Sequence, residues 1–170
     1  MMVLAVVAAT LAALGLATFF IMRKKDEANP EAAEPLKGQK FSLEEKNWHT
    51  FYLDSHPMRA YTCGAPDAPK LLFIHNLHSS TALCAPLVNE LAKTHRILCI
   101  DLPGHGGSDE FCAYTLELFA QCAREAVSQF FGGEKFVTVG HGIGAVVGAA
   151  VHVALKNSVS FVGFAPTGLA

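Results

Sequence analysis

The tightest constraint in the chain is a run of alternate glycines, Gly140-His141-Gly142-Ile143-Gly144. It follows the apolar segment Lys135-Phe-Val-Thr-Val139 and opens the small-residue stretch Ala145-Val-Val-Gly-Ala-Ala-Val151. Aromatic and β-branched residues before the glycines predict a strand. The stretch after them predicts a helix from about Ile143 to Lys156. Glycine turns through backbone angles closed to other residues and lets the helix start close against the strand. Strand, sharp turn and helix together demand a layered sheet-and-helix architecture.

Other segments repeat that alternation. Trp48-His-Thr-Phe-Tyr-Leu53 and Met58-Arg-Ala-Tyr-Thr62 are short aromatic-rich runs around Asp54-Ser-His-Pro57, and they predict a two-stranded hairpin. Leu71-Leu-Phe-Ile74 and Arg96-Ile-Leu-Cys-Ile100 are apolar runs of the kind buried on both faces of a parallel sheet. Between them, Thr81 to Thr94 predicts a helix, with Leu83, Leu87 and Leu91 on one stripe beside Val88. Leu102-Pro-Gly-His-Gly-Gly-Ser-Asp109 is a turn-rich loop. Thr115 to Phe131 predicts an amphipathic helix closed by Gly132-Gly133, and Val159-Ser-Phe-Val-Gly-Phe164 a last strand. A hairpin followed by alternating strands and helices predicts an α/β fold with a mostly parallel sheet.

The N-terminus carries a different signal. No charged residue occurs from Met1 to Met22, and Val3 to Met22 is long enough to cross a bilayer as one helix. Arg23-Lys24-Lys25 follows at once. A cleaved signal peptide has its basic residues before a shorter apolar core, so an uncleaved anchor fits better. A removable targeting segment is the alternative, although transit peptides are arginine-rich and amphipathic. The basic flank resists translocation, which places the remaining chain on the matrix or cytosolic side. Residues 26–40, proline-broken and alanine-rich, read as a linker, leaving residues 41–170 for the folded domain.

Composition narrows the function. The formal net charge is −2, so no nucleic-acid footprint is expected. Cys63, Cys84, Cys99, Cys112 and Cys122 lack C-x-x-C spacing, which fits reduced thiols rather than a disulfide framework or zinc site. No metal and no cofactor are expected.

Three segments carry a resemblance. Leu71-Leu-Phe-Ile-His75-Asn76 resembles a strand ending in the His-Gly of an oxyanion loop. Ile100-Asp101-Leu-Pro-Gly-His-Gly-Gly-Ser108 is similar to D-x-P-G-x-G-x-S. Val139-Gly-His-Gly-Ile-Gly144 resembles V-G-H-S-x-G, a nucleophile elbow. In that order and separation they resemble the N-terminal half of an α/β-hydrolase-fold protein, from about Thr50 onward. The resemblance implies that the family's nucleophile corresponds to Gly142, which has no side chain to activate. It implies that His141 supports the turn and that an oxyanion hole would draw on the N–H of Ile143 and one near His75-Asn76. Asn76 stands where the family has glycine, and asparagine tolerates unusual backbone angles. His75, Asn76, His141, Gly142 and Ile143 therefore form a vestigial site. His75, His78, His105 and His141 would gather at the C-terminal edge of the sheet, as motif residues rather than as a metal site. His152 is expected to pack on its helix.

The family's acid and base come later in chain order. The sequence ends at Ala170, just after Phe164-Ala-Pro-Thr-Gly168. The expectation is a truncated, inactive domain whose Val159–Phe164 strand and Ala145–Val151 helix are left uncovered for other protein subunits. The leading functional expectation is an accessory structural subunit of a membrane complex, in the mitochondrial inner membrane. Alternatives are a ligand-binding or regulatory module using the vestigial pocket, and half of a split hydrolase completed by another chain.

Overall fold

A computed structural model describes residues 42–168. The anchor and linker readings, including Val3 to Met22 and Arg23-Lys24-Lys25, lie outside the described residues. Among those described, no helix is long and apolar enough to cross a membrane.

The hairpin is β1 (Trp48–Leu53) and β2 (His56–Cys63), antiparallel, with Trp48 opposite Tyr61 and Leu53 opposite His56. Its loop is shorter than the expected Asp54–Pro57. Only Asp54 and Ser55 lie outside the strands, at φ 48° and 72°, the positive values a type I′ turn needs at both central residues. That turn matches the twist of the flanking strands, so pairing runs right up to His56.

The rest follows the predicted alternation: β3 (Lys70–Ile74), α1 (Ala85–Leu91), β4 (Arg96–Ile100), α2 (Leu116–Phe130), β5 (Phe136–His141), α3 (Ile143–Ala154) and β6 (Ser158–Phe164). The strand order is β1-β2-β4-β3-β5-β6. The pairs β4–β3, β3–β5 and β5–β6 are parallel, while β2 meets β4 antiparallel. The sheet is thus mixed, with a four-stranded parallel body and a hairpin on one flank.

Both faces of the central strands are buried, which explains their unbroken apolar runs. Leu72 and Ile74 of β3, with Leu98 and Ile100 of β4, join α2 and α3 in one core. Each is fully buried, worth about 1.5–3 kcal/mol relative to exposure. Thr115 caps α2 by accepting the Leu118 N–H at 3.1 Å, and Gly132, at φ 57°, ends it.

Two packing expectations are corrected. The stripe of the first helix is Ala85, Val88 and Leu91, whereas Leu83 is 71% exposed. A short 3-10 turn at Ala82–Cys84 precedes α1, and Pro86 falls in the first turn of the helix proper. The change of helical type rotates Leu83 off the buried face. The small-residue helix is also less open than expected. Ala145, Val147, Gly148 and Val151 are buried within the domain, and Val147 and Val151 share a core with residues of α2. Of the strand and the helix expected to be uncovered, β6 is therefore the more open. Among the described strands β6 pairs with β5 alone, and it leaves Val159 and Phe164 exposed.

Candidate functional site

The glycine turn sits where β5 gives way to α3. Gly142 adopts φ 59° and ψ −119°, the angles of the first central residue of a type II′ turn. A side chain there is strained, and glycine is not. Gly144 has a different reason to be small. A Cβ on it would run into the backbone carbonyls of Ile74 and His75, so α3 can start against β3 only without one. The turn is tied to the end of β6: Gly142 donates its N–H to the Phe164 carbonyl at 3.1 Å, and Thr167 donates to the Gly142 carbonyl at 3.3 Å. The His141 ring lies flat on Phe164, with centroids 4.7 Å apart and planes at 8°. His141 thus packs against the end of β6.

The five vestigial residues do come together, but not as an open hole. The Ile143 N–H, the expected oxyanion donor, gives its hydrogen bond to Asn76 Oδ1 at 3.0 Å. The Asn76 amide also fills the space a Cβ on Gly142 would need. One side chain therefore occupies both the nucleophile's place and an acceptor position of the oxyanion. The expectation that Asn76 serves through unusual backbone angles is corrected. Positive φ outside glycine occurs among the described residues at Asp54, Ser55, His78 and Ala165, not at Asn76. Its contribution is the side-chain amide.

His75 is fully buried and has both ring nitrogens committed. Nε2 accepts the Leu102 N–H at 3.1 Å, so the proton sits on Nδ1, which donates to the Asn76 carbonyl at 2.7 Å. Burial pushes the imidazole below its ordinary value, favouring the neutral ring this arrangement requires. His75 is thus a bridge between two loops, with no lone pair left to act as a base. His105 packs 5.4 Å from it, ring to ring, and His78 is exposed. Among the described residues no three His, Cys, Asp or Glu side chains are grouped so as to hold a metal ion.

Asp101 is the site residue whose part the sequence reading left out. Its buried carboxylate accepts the Thr81 N–H at 2.7 Å and the Gly107 N–H at 3.0 Å. Ser108 Oγ donates to the Asp101 carbonyl at 2.6 Å and accepts the Arg59 N–H at 2.9 Å. The aspartate and serine of the D-x-P-G-x-G-x-S segment are therefore staples that hold the loop against β2 and the start of the α1 region. The signal was present in the motif itself, since a conformationally demanding loop needs side chains that bond its backbone. His152 packs as expected: Nδ1 lies 2.9 Å from Ser158 Oγ and its ring stacks on Phe161.

The fold is shared with solved structures. An alpha/beta hydrolase fold protein from Burkholderia ambifaria aligns with 76% of this chain and 47% of its own, at TM-score 0.66 and 20% identity. The N-acyl homoserine lactonase AidH aligns with 71% of this chain and 45% of its own, at TM-score 0.64 and 25% identity. A membrane phospholipase A described as a bacterial virulence factor covers 100% of this chain and 54% of its own, at TM-score 0.67 and 16% identity. The chain spans about half the length of these structures. No curated protein sequence matches it. The sequence profile of the alpha/beta hydrolase family matches residues 71–170, from β3 through the glycine turn to β6 and beyond. With that match over more than half of the sequence, and the strand–turn–helix in place, the chain belongs to the alpha/beta hydrolase family.

Proposed function

We propose that the chain is a catalytically inactive hydrolase relative serving as an accessory structural subunit of a membrane complex. The observation that carries the reading is the Gly142–Asn76–Ile143 arrangement. No nucleophilic atom projects from residue 142, and the Ile143 N–H is already satisfied by Asn76 Oδ1. Acyl transfer needs an attacking atom and a free donor where the oxyanion develops. Neither is on offer. The activities named for the solved neighbours do not carry over to a turn built this way. The same plug speaks against a ligand module in the vestigial pocket and against a split hydrolase completed by another chain.

The subunit role rests on β6. Among the described residues β6 is paired on one side only, with apolar residues exposed beside it, and such an edge is relieved by another chain. Anchoring through Val3 to Met22, with Arg23, Lys24 and Lys25 on the matrix or cytosolic side, belongs to the same proposal, as does the mitochondrial inner membrane as its setting. The test has two arms. The full-length chain is assayed against nitrophenyl esters and a fluorophosphonate probe, with no turnover and no labelling expected. It is then purified in mild detergent, where migration with a fixed stoichiometric set of membrane proteins is expected. Ester turnover overturns the inactive reading, and recovery as a lone monomer overturns the subunit reading.

A further inference from the structure

The outer face of the hairpin holds a hollow of about 400 Å³, lined by residues including Glu45, Trp48, Thr50, Pro57, Arg59 and Gly107. Thr50 faces Arg59 across the strands, and Trp48 lies two residues before Thr50, so alternation puts all three on one face of the sheet. The Arg59 guanidinium lies over the Trp48 ring, 3.8 Å from its centroid. Gly107 also lies against the side chain, and any Cβ there would collide with the Arg59 stem. The backbone of Arg59 is fixed as well, donating to Ser108 Oγ and accepting from the Asp101 N–H, each at 2.9 Å. The side chain is thus packed against both an indole and a glycine.

Among the described residues its donors are unspent. Arg96 donates to the Gly64 carbonyl at 3.0 Å and to Thr62 Oγ1 at 3.3 Å, and Arg124 pairs with Glu117. Among the described residues the Arg59 guanidinium makes no hydrogen bond and no ion pair. A rigid planar fork with free N–H groups matches a carboxylate or phosphate, and immobilising it beforehand lowers the entropy cost of binding. Glu45 lines the same hollow and makes no ion pair among the described residues. It disfavours a bare polyanion and favours a ligand with a cationic end.

From this geometry we infer that the hairpin hollow binds a small zwitterion, its phosphate or carboxylate on Arg59 and its ammonium toward Glu45. The site is distinct from the glycine turn and independent of the proposed subunit role. Trp48 is the chain's only tryptophan, so intrinsic fluorescence reads this hollow directly. The full-length chain is titrated with phosphoethanolamine, inorganic phosphate and sodium chloride at matched ionic strength. Phosphoethanolamine is expected to give a saturable change in Trp48 emission at least fivefold tighter than phosphate, with chloride giving none. Arg59→Gln should abolish the response and Arg59→Lys weaken it about tenfold. Glu45→Gln should erase the preference for the zwitterion. Phosphatidylcholine vesicles with and without phosphatidylethanolamine separate the sources. A response to the soluble probe assigns a free metabolite, and one confined to ethanolamine vesicles assigns a lipid headgroup. Both support the site. Failure of every probe, or an unchanged response in folded Arg59→Gln or Arg59→Lys protein, overturns it; an intact preference in Glu45→Gln overturns the zwitterion assignment.

Discussion

Gly142→Ser is the most direct perturbation of the glycine turn. At φ 59° and ψ −119°, a residue with a Cβ carries about 1–3 kcal/mol of backbone strain. The new Cβ would collide with Asn76 Oδ1, so the amide must swing away and release the 3.0 Å bond from the Ile143 N–H. Loss of that part-buried bond adds about 1 kcal/mol. The expected destabilisation is about 2–4 kcal/mol, or roughly 6–12 °C in Tm for a domain of this size. Urea unfolding followed by Trp48 fluorescence measures it, with the m-value unchanged. Asn76→Ala separates the two contributions. It removes the collision, so the double variant should be less destabilised than the sum of the singles by about 1 kcal/mol. No ester turnover is expected from Gly142→Ser. Wild-type stability in that variant would refute the collision, and turnover would refute the absence of working machinery around the turn.

Three further outcomes follow from the same geometry. Asp101→Asn should cost about 2–4 kcal/mol in urea unfolding, because an amide cannot accept both the Thr81 and the Gly107 N–H as a carboxylate does; an unchanged midpoint would remove the staple role. His75 is held neutral by burial, its native value below the ordinary 6.5, so the unfolded chain takes up a proton that the native ring refuses. Stability should therefore be full above about pH 6.5 and fall below it, by up to about 1.4 kcal/mol per pH unit for this group, and His75→Gln should flatten that slope. Iodoacetamide at neutral pH should modify exposed Cys112 first, while Cys63, pushed up to about 11, and Cys122, pushed up to about 12, react only on unfolding; mass spectrometry reads the order.

Most of the scaffold was legible in the sequence because its signals are local. Continuous apolar runs marked β3 and β4, alternate glycines marked the strand-to-helix turn, and Thr115 and Gly132 bracketed α2. What escaped depended on partners far along the chain. Asn76 and Ile143 are 67 residues apart, and nothing near Asn76 shows that its amide reaches the donor on α3. Leu83 looked like part of a stripe because a period of 3.6 was carried through a turn that is 3-10. The small-residue helix looked uncovered because its packing against α2 is a tertiary fact. The setting of Arg59 draws on three separate segments, β1, β2 and the loop holding Gly107, which no local pattern links.

The strand order also governs how the sheet can assemble. The β1–β2 hairpin is local, joined by two residues, and such hairpins form in about 1–10 μs. Its inner edge, Ala60–Cys63, has one partner, Ile97–Ile100 of β4, and β3 lies between them in sequence. The hairpin can therefore form early but joins the sheet only once β4 is in place, and β4 in turn takes its other edge from β3. Growth from β3 outward, toward β4 and the hairpin on one side and β5 and β6 on the other, needs no strand to be inserted between two already paired. Loop closure over residues 64–95 is then the slow step on the hairpin side, and substitutions at the β3–β4 pairing should slow folding more than those in β1.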